Sequence, residues 1–276
     1  MEENVITSVH NARVKHVVAL QQKSSLRREE GIFVVEGQRE IEHCIACGYE
    51  IVEVFIRRQE SGDGSLETID KSLENTPTPI LVTPQVYEKM AYRGSTEGII
   101  AIAKCKPHTL ESLTPVSSPL IVVLESVEKP GNLGAILRTA EAANVDAVIV
   151  CDPLTDLYNP NLIRASIGGV FSVPVAVCTS KECIAFLKEH KVRILTAQLQ
   201  DSYDYYDYDM RQATAIVMGT ESTGLSQQWR DAADVHIRIP MLGRLDSLNV
   251  SVSAAILMYE AVRQRNKTYQ HPDARL

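Results

Sequence analysis

The stretch ATAIVMGTESTGLSQQWRDAADVHIRIPMLGRLDSLNVSVSAAILMYEAVRQR, residues 213–265, decides the fold. Ala213 to Met218 is a continuous apolar run, with the length and composition of a strand buried on both faces of a parallel sheet. It breaks into Gly219-Thr220-Glu221-Ser222-Thr223-Gly224-Leu225-Ser226, a turn-rich loop that carries a carboxylate. A second strand follows, with Val235, Ile237 and Ile239 alternating against His236 and Arg238. A loop from Pro240 to Leu248 then leads to a long helix beginning near Asn249. Two strands thus end in polar, glycine-containing loops, and in an open α/β sheet such carboxyl-end loops are where ligands sit. The first loop has the glycine spacing of a P-loop, but Leu225 stands where the lysine belongs and Glu221 would oppose a bound phosphate. Nucleoside triphosphate binding is therefore excluded.

The same rhythm extends upstream. Apolar runs at 120–124, 147–151, 173–177 and 192–197 precede those at 213–218 and 235–239. Helix-compatible stretches at 132–143, 160–167, 180–190, 224–233 and 249–265 separate most of them. Alternating β and α predicts a mainly parallel sheet with helices on its faces. No G-x-G-x-x-G follows the first strand, so the dinucleotide fingerprint is missing. Before this region, KPHTLESLTPVSSP at 106–119 reads as a linker. Residues 1–105 read as a small α/β domain, with strands at 32–35, 51–56, 80–83 and 98–104 and a helix over 37–48. The polar stretch 59–79 suits a helix bounded by loops. The division predicted is 1–105, a linker at 106–119, and 120–276. DSYDYYDYD at 201–209 carries four aspartates, which would repel RNA, and reads as a solvated loop.

Composition bounds the function classes. The 276 residues are 45% hydrophobic and 23% charged, ordinary values for a soluble globular protein. No apolar run has the length of a membrane span and the first residues do not form a signal peptide, so a cytoplasmic protein is expected. The six cysteines are irregularly spaced and read as reduced thiols; Cys44 and Cys47 form a lone CxxC without the second pair a zinc site needs. A net charge of -7 speaks against a large nonspecific nucleic-acid surface, though not against a local one. From Asn11 to Arg28 the chain carries Arg13, Lys15, Lys23, Arg27 and Arg28 with no acidic residue. This segment is either a phosphate-contacting surface or a solvated helix face, and spacing alone weights the two evenly.

Three loops carry candidate chemistry. In ESVEKPGNLGAILR, residues 125–138, Asn132 is placed to cap a helix, and Arg138 lies two turns in, near the face of Gly134. Arg138 is an anion contact or simply an exposed helix arginine, the latter favoured by spacing alone. The second loop carries Glu221, which could equally be a carboxylate stabilised at a helix N-terminus. The third contains Asp246-Ser247-Leu248-Asn249, where Asn249 or Ser251 can cap the final helix.

Taken together, these residues resemble the SpoU/TrmH-type RNA 2′-O-ribose methyltransferases of the SPOUT superfamily. The family's N-x-G-x-x-x-R-[TS] appears as Asn132 to Thr139, its G-x-E-x-x-G-[LM] as Gly219 to Leu225, and its I-P-M-x-G-x-x-x-S-L-N-V-S-V as Ile239 to Val252. All three occur in order and at full length, and the resemblance covers about residues 118–265. FVVEGQREIEHCIACG, within the first hundred residues, resembles the family's small N-terminal RNA-binding domain.

The resemblance implies a catalytic domain with a trefoil knot near its C-terminus, an exception to the rule that chains avoid threading. It implies S-adenosylmethionine bound in that knot and a homodimer whose interface helps build the active site. By the same resemblance Thr196, Ala197, Gln198, Gly219, Ile239, Met241, Leu248 and Asn249 hold the cofactor. Asn132, Arg138, Glu221, Ser247 and Asn249 surround the reacting ribose; the charge pattern of the 11–28 segment, and not the resemblance, offers Arg13, Lys15, Arg27 and Arg28 as RNA contacts. Methyl transfer to a 2′-hydroxyl is an in-line displacement that needs position and a deprotonated oxygen, and no metal is expected. The family assigns the proton-accepting role to Arg138. A guanidinium stays charged at ordinary pH, so the alternative is that Arg138 binds the neighbouring phosphate and stabilises the alkoxide. The expected substrate is ribosomal RNA. The alternatives are transfer RNA, methylation of a base nitrogen, a non-catalytic assembly factor on the same fold, and antibiotic resistance through the same reaction.

Overall fold

Val14, Val17, Leu20 and Gln21 recur at helical spacing and form the buried side of the first long helix. The computed structural model describes residues 5–58, 76–92, 97–114, 116–220 and 223–265. The expected helix over 59–79 lies, but for its last few residues, outside the described residues. The chain divides into two compact units, Met1–Pro107 with Thr155–Ser172, and His108–Leu154 with Val173–Leu276.

In the first unit, β1 (Val5–Ile6) is followed by α1 (Ala12–Gln22), α2 (Ser24–Glu30), β2 (Ile32–Glu36), α3 (Gln38–Ala46) and β3 (Ile51–Arg57). Then come β4 (Ile80–Val82), α4 (Pro84–Met90) and β5 (Ile99–Lys104). The sheet order is β1-β4-β3-β5-β2, with β5 antiparallel to both its neighbours and the β1, β4 and β3 pairings parallel. The buried faces of α1 and α4 pack together with Val34, Phe55, Ile100 and Ile102 into one core. The Asn11 side chain starts α1 by accepting from the Arg13 amide at 2.9 Å, and Gly31, at φ 65°, ends α2.

Arg27 corrects the reading of the basic segment. It is only 3% exposed, and its Nε donates to Asp156 Oδ2 at 2.6 Å. Its Nη1 donates to the carbonyls of Leu20 and Gln21. These carbonyls belong to the last turn of α1, where no intrahelical donor reaches them. Arg27 is a buried clasp, so it has no free donor face for a phosphate. Arg13, Lys15 and Arg28 remain exposed, Arg13 lying 3.6 Å from Glu53.

The partner of Arg27 lies in a segment read as part of the second domain. Residues 155–172, with short helices at Pro160–Ser166 and Gly169–Ser172, pack with the first unit. Tyr158 stacks on Phe33 with ring centroids 4.1 Å apart, and Phe171 meets Tyr49 at 5.2 Å. The first unit is therefore discontinuous in sequence.

The second unit comprises β6 (Leu120–Glu125), α5 (Pro130–Ala142), β7 (Ala147–Cys151), β8 (Val175–Cys178), α6 (Ser180–Glu189), β9 (Arg193–Ala197), β10 (Tyr203–Asp204), β11 (Thr214–Met218), α7 (Gln227–Ala232), β12 (Val235–Arg238) and α8 (Val250–Gln264). It is the expected α/β architecture, a seven-stranded sheet in the order β10-β12-β9-β11-β6-β7-β8 with every pairing parallel. All of β6, β7 and β11 is buried, which is why they read as unbroken apolar runs. After β8 the chain crosses to the far side of β6 to form β9, and β11 later fills the place between β9 and β6.

Two stretches hold more structure than their composition implied. Tyr203 and Asp204 add an edge strand beside β12, and Arg238 pairs with Asp204 at 2.8 Å. In the stretch read as a linker, the His108 carbonyl accepts from the Val177 amide, and Leu110 and Leu113 pack on the sheet's core. Arg265, just past α8, donates to the carbonyls of Ser118, Pro119, Met210 and Gln212, fixing the end of that helix to the entrances of β6 and β11.

Candidate active site

Because β12, β9 and β11 are neighbours, the loops leaving their carboxyl ends meet. Residues 197–200, the 219–225 loop and the 239–249 loop, with the first turns of α8, enclose a cavity of about 710 Å³. That volume is in the range of small-molecule and cofactor sites. A smaller cavity of about 120 Å³, lined by Glu128, Lys129 and Asn132, shares Gly219, Thr220 and Val250 with it.

The 219–226 loop is held by backbone geometry. Gly224 donates its amide to the Thr220 carbonyl at 3.1 Å, and the Thr223 amide donates to the Thr220 hydroxyl at 3.0 Å. A Cβ at Gly219 would come within 2.6 Å of the Leu225 amide nitrogen and closer still to the Gly224 carbonyl, so only glycine fits. Gly224 adopts φ 67°, the left-handed conformation that closes the turn.

Glu125, at the end of β6, ties this loop to the sheet. It is 6% exposed; Oε2 accepts from the Ser226 amide at 2.8 Å and Oε1 from the Ser226 hydroxyl at 2.6 Å. Ser180 adds a contact to Oε1 at 3.3 Å, and the buried Trp229 donates its indole N–H to Ser180 Oγ at 3.0 Å. Ser226 caps α7, so one carboxylate fixes both the loop's end and the helix that follows.

Two polar atoms on residues of this region lack a partner among the described residues. Gln198 Oε1 and Arg230 Nε are buried without a hydrogen bond, and both residues line the large cavity. Buried polar groups are normally paired. An orphan acceptor and an orphan donor beside one cavity fit a ligand that offers both a donor and an acceptor.

Asn249 joins the two cavities. Its Oδ1 caps α8 by accepting from the Ser251 amide at 3.0 Å, and its Nδ2 donates to Asn132 Oδ1 at 3.2 Å. Asn132 does not cap α5; that helix begins earlier, at Pro130, whose fixed φ suits a first turn.

The sequence-derived residues divide as follows. Ala197, Gln198, Gly219, Ile239, Met241, Ser247, Leu248 and Asn249 line the large cavity. Thr196 lies behind it, fully buried, with its hydroxyl 2.6 Å from His236 Nδ1. Arg138 is exposed on α5, lines neither cavity and makes no hydrogen bond or ion pair among the described residues. Glu221 lies outside the described residues. Glu125 and Arg230 were not anticipated: Glu125 reads as a strand-end carboxylate and Arg230 as one charge in a polar helix.

Comparison with known proteins gives a consistent picture. A family model described as the SpoU rRNA methylase family matches residues 119–259. A second, described as an MRM3-like substrate binding domain, matches residues 11–101. A 23S rRNA (uridine(2479)-2′-O)-methyltransferase of Streptomyces viridochromogenes is 28% identical over 94% of this chain and 92% of its own length. A crystal structure of an RNA 2′-O ribose methyltransferase is 37% identical with a TM-score of 0.82, covering 95% of this chain and 99% of that one. The structure of AviRb from Streptomyces viridochromogenes with its cofactor AdoMet is 27% identical with a TM-score of 0.84, covering 94% and 100%.

Proposed function

This chain belongs to the SpoU rRNA methylase family, and on that premise we propose that the 710 Å³ cavity holds the cofactor and that methyl transfer occurs at its junction with the smaller cavity. The protein is an S-adenosylmethionine-dependent RNA 2′-O-ribose methyltransferase. The observation that carries the placement is the pair of orphan atoms, Gln198 Oε1 and Arg230 Nε, on a cavity bounded by the loops after β9, β11 and β12.

The cofactor supplies a methyl group on a sulfonium. The residues of the chain supply position. Backbone around Gly219, Ile239, Met241 and Leu248 bounds the cavity, and Gln198 offers an acceptor to an amino group. Asn249, held by Asn132 and by its own cap, orients the ribose hydroxyl at the shared wall. Ser247 adds to the polar surround, and the family motif assigns Glu221 to it. Positioning of this kind is the main resource of an in-line displacement.

Arg138 stands outside both cavities of a single chain. We assign its action to a second copy in a homodimer, where its guanidinium reaches the partner's ribose and phosphate and stabilises the developing alkoxide. Leu242, Leu245, Val252 and Tyr259 support this reading, because they leave a large apolar surface on the 240–249 loop and α8. The C-terminal knot of the family belongs to the same region. The substrate is ribosomal RNA, by analogy with the relative named above, and the protein works where that RNA is, in the cytoplasm. The exposed Arg13, Lys15 and Arg28 contact its phosphates.

A mixing experiment tests the shared site. Arg138→Ala and Asn249→Ala proteins are each assayed alone, then after co-refolding or co-expression. Each alone should be nearly inactive, and the mixture should recover activity through heterodimers that carry one intact site. No recovery in a mixture shown to contain heterodimers would place both residues in one chain's site.

A further inference from the structure

The sequence offers no metal-ligand or thiol cluster, yet the second unit builds one. Cys151 ends β7 and Cys178 ends β8, and the two are register partners in adjacent parallel strands. Cys183 sits in the first turns of α6, one turn beyond the Thr179 cap. The three sulfurs lie within 4.8 Å of one another. Cys151 and Cys183 are fully buried in the apolar core, whereas Cys178 is half-buried and reaches solvent. None of the three lines the cofactor cavity.

We propose that Cys178 is a site of oxidation by peroxides, its sulfur passing through a sulfenic acid to a disulfide with Cys151. Adjacent strands lie about 4.8 Å apart, within the range of Cα separations that a disulfide bridges. Access assigns the roles: the half-buried sulfur meets the oxidant, and a buried neighbour resolves it. Hydrogen bonds from Cys151 and then Cys183 lower the Cys178 thiol, against burial and the nearby Glu182 and Asp152, which favours thiolate character at its sulfur. Donation to Cys178, its contact with Cys183 and burial push Cys151 up, keeping its proton on sulfur. The hydrogen bond with Cys151 acts to lower Cys183, but donation to Cys178 and burial outweigh it and raise that thiol as well.

In the first step the Cys178 thiolate attacks one peroxide oxygen. An S–O bond forms, the O–O bond breaks, and the hydroxide released takes a proton to become water. In the second step Cys151 sulfur attacks Cys178 sulfur; the S–S bond forms, the S–O bond breaks, and hydroxide leaves with the Cys151 proton as a second water. Two thiols are oxidised and one peroxide is reduced. The product is neutral and apolar, which suits the surrounding Ile149, Leu187 and Ala176.

The test uses the full-length protein, reduced, freed of reductant and treated with hydrogen peroxide. Intact mass should fall by two hydrogen atoms, two of the six thiols should disappear, and the peptide map should link Cys151 to Cys178, all reversed by dithiothreitol. Cys151→Ser should stop at a dimedone-reactive Cys178. Alkylation of Cys178 by iodoacetamide should rise less steeply between about pH 6 and pH 8 than that of an ordinary thiol, which speeds up about a hundredfold over that range. A linkage among Cys44, Cys47 and Cys105, or peroxide that leaves Cys178 reduced, would overturn the proposal. So would uptake of one cadmium(II) with thiolate charge-transfer absorption that protects the cluster from peroxide. The wild-type map decides even if the variant does not fold.

Discussion

The anchoring of the 219–226 loop by Glu125 makes the sharpest prediction. Glu125→Ala removes the acceptor for the Ser226 amide at 2.8 Å and for its hydroxyl at 2.6 Å. Hydrogen bonds to a charged partner contribute about 1.5–3 kcal/mol each, and Ser226 is exposed enough for water to replace part of the loss, so roughly 2–3 kcal/mol should remain. For a unit of this size that is a fall in melting temperature of about 5–10 °C. The same bonds hold Gly219–Gly224 against the cavity, so S-adenosylmethionine should bind at least about tenfold more weakly, the equivalent of about 1.4 kcal/mol. Glu125→Gln keeps the length and one carbonyl oxygen, and its amide can donate to the Ser226 hydroxyl, so it should recover most of both effects. Differential scanning calorimetry and cofactor titration on the three proteins make the comparison. If Glu125→Ala melts lower but binds the cofactor as tightly as the parent, Glu125 merely stabilises the fold. Equal damage from Gln and Ala would likewise refute the positioning argument.

Other residues make shorter predictions. Gly219→Ala forces a Cβ against the Gly224 carbonyl and the Leu225 amide, and should abolish cofactor binding in a titration while far-UV circular dichroism stays close to the parent's. Arg27→Ala leaves Asp156 and two carbonyls without their donor; breaking a buried pair costs about 3–5 kcal/mol, so chemical denaturation should report a large loss, whereas Arg28→Ala should weaken RNA binding and flatten its salt dependence. Val252→Asp with Tyr259→Asp places charge on residues 47% and 50% exposed, and should halve the mass seen by sedimentation and remove activity; an unchanged mass would locate the dimer contact elsewhere.

How far the chain could be read depends on which force places each part. The strands of the second unit are legible because β6, β7 and β11 are buried on both faces, which leaves no room for polar residues. The loops that follow them are legible because Gly219 and Gly224 meet a close approach and a left-handed turn that favour glycine, and Asn249 is one of the few residue types that cap a helix. Residues 155–172 mislead because helical period says that one face is buried without saying against what; Phe33 and Arg27 decide that. Arg27 misleads for a related reason, since a charge count cannot tell a guanidinium that closes a helix end from one that faces solvent. Arg230 and the three clustered cysteines are brought into position by strand order, register and the packing of the helices that follow. No spacing in the sequence encodes them.

The central claim is methyl transfer to ribose within ribosomal RNA at the Asn132–Asn249 junction. The direct measurement is incubation of the protein with methyl-labelled S-adenosylmethionine and undermethylated ribosomal RNA, followed by digestion to nucleosides. The account predicts label in a 2′-O-methylnucleoside, lost in Asn249→Ala even though removing that helix cap costs only about 1 kcal/mol of stability. Label in a base-methylated nucleoside, or tight binding of RNA and cofactor without transfer, would contradict it.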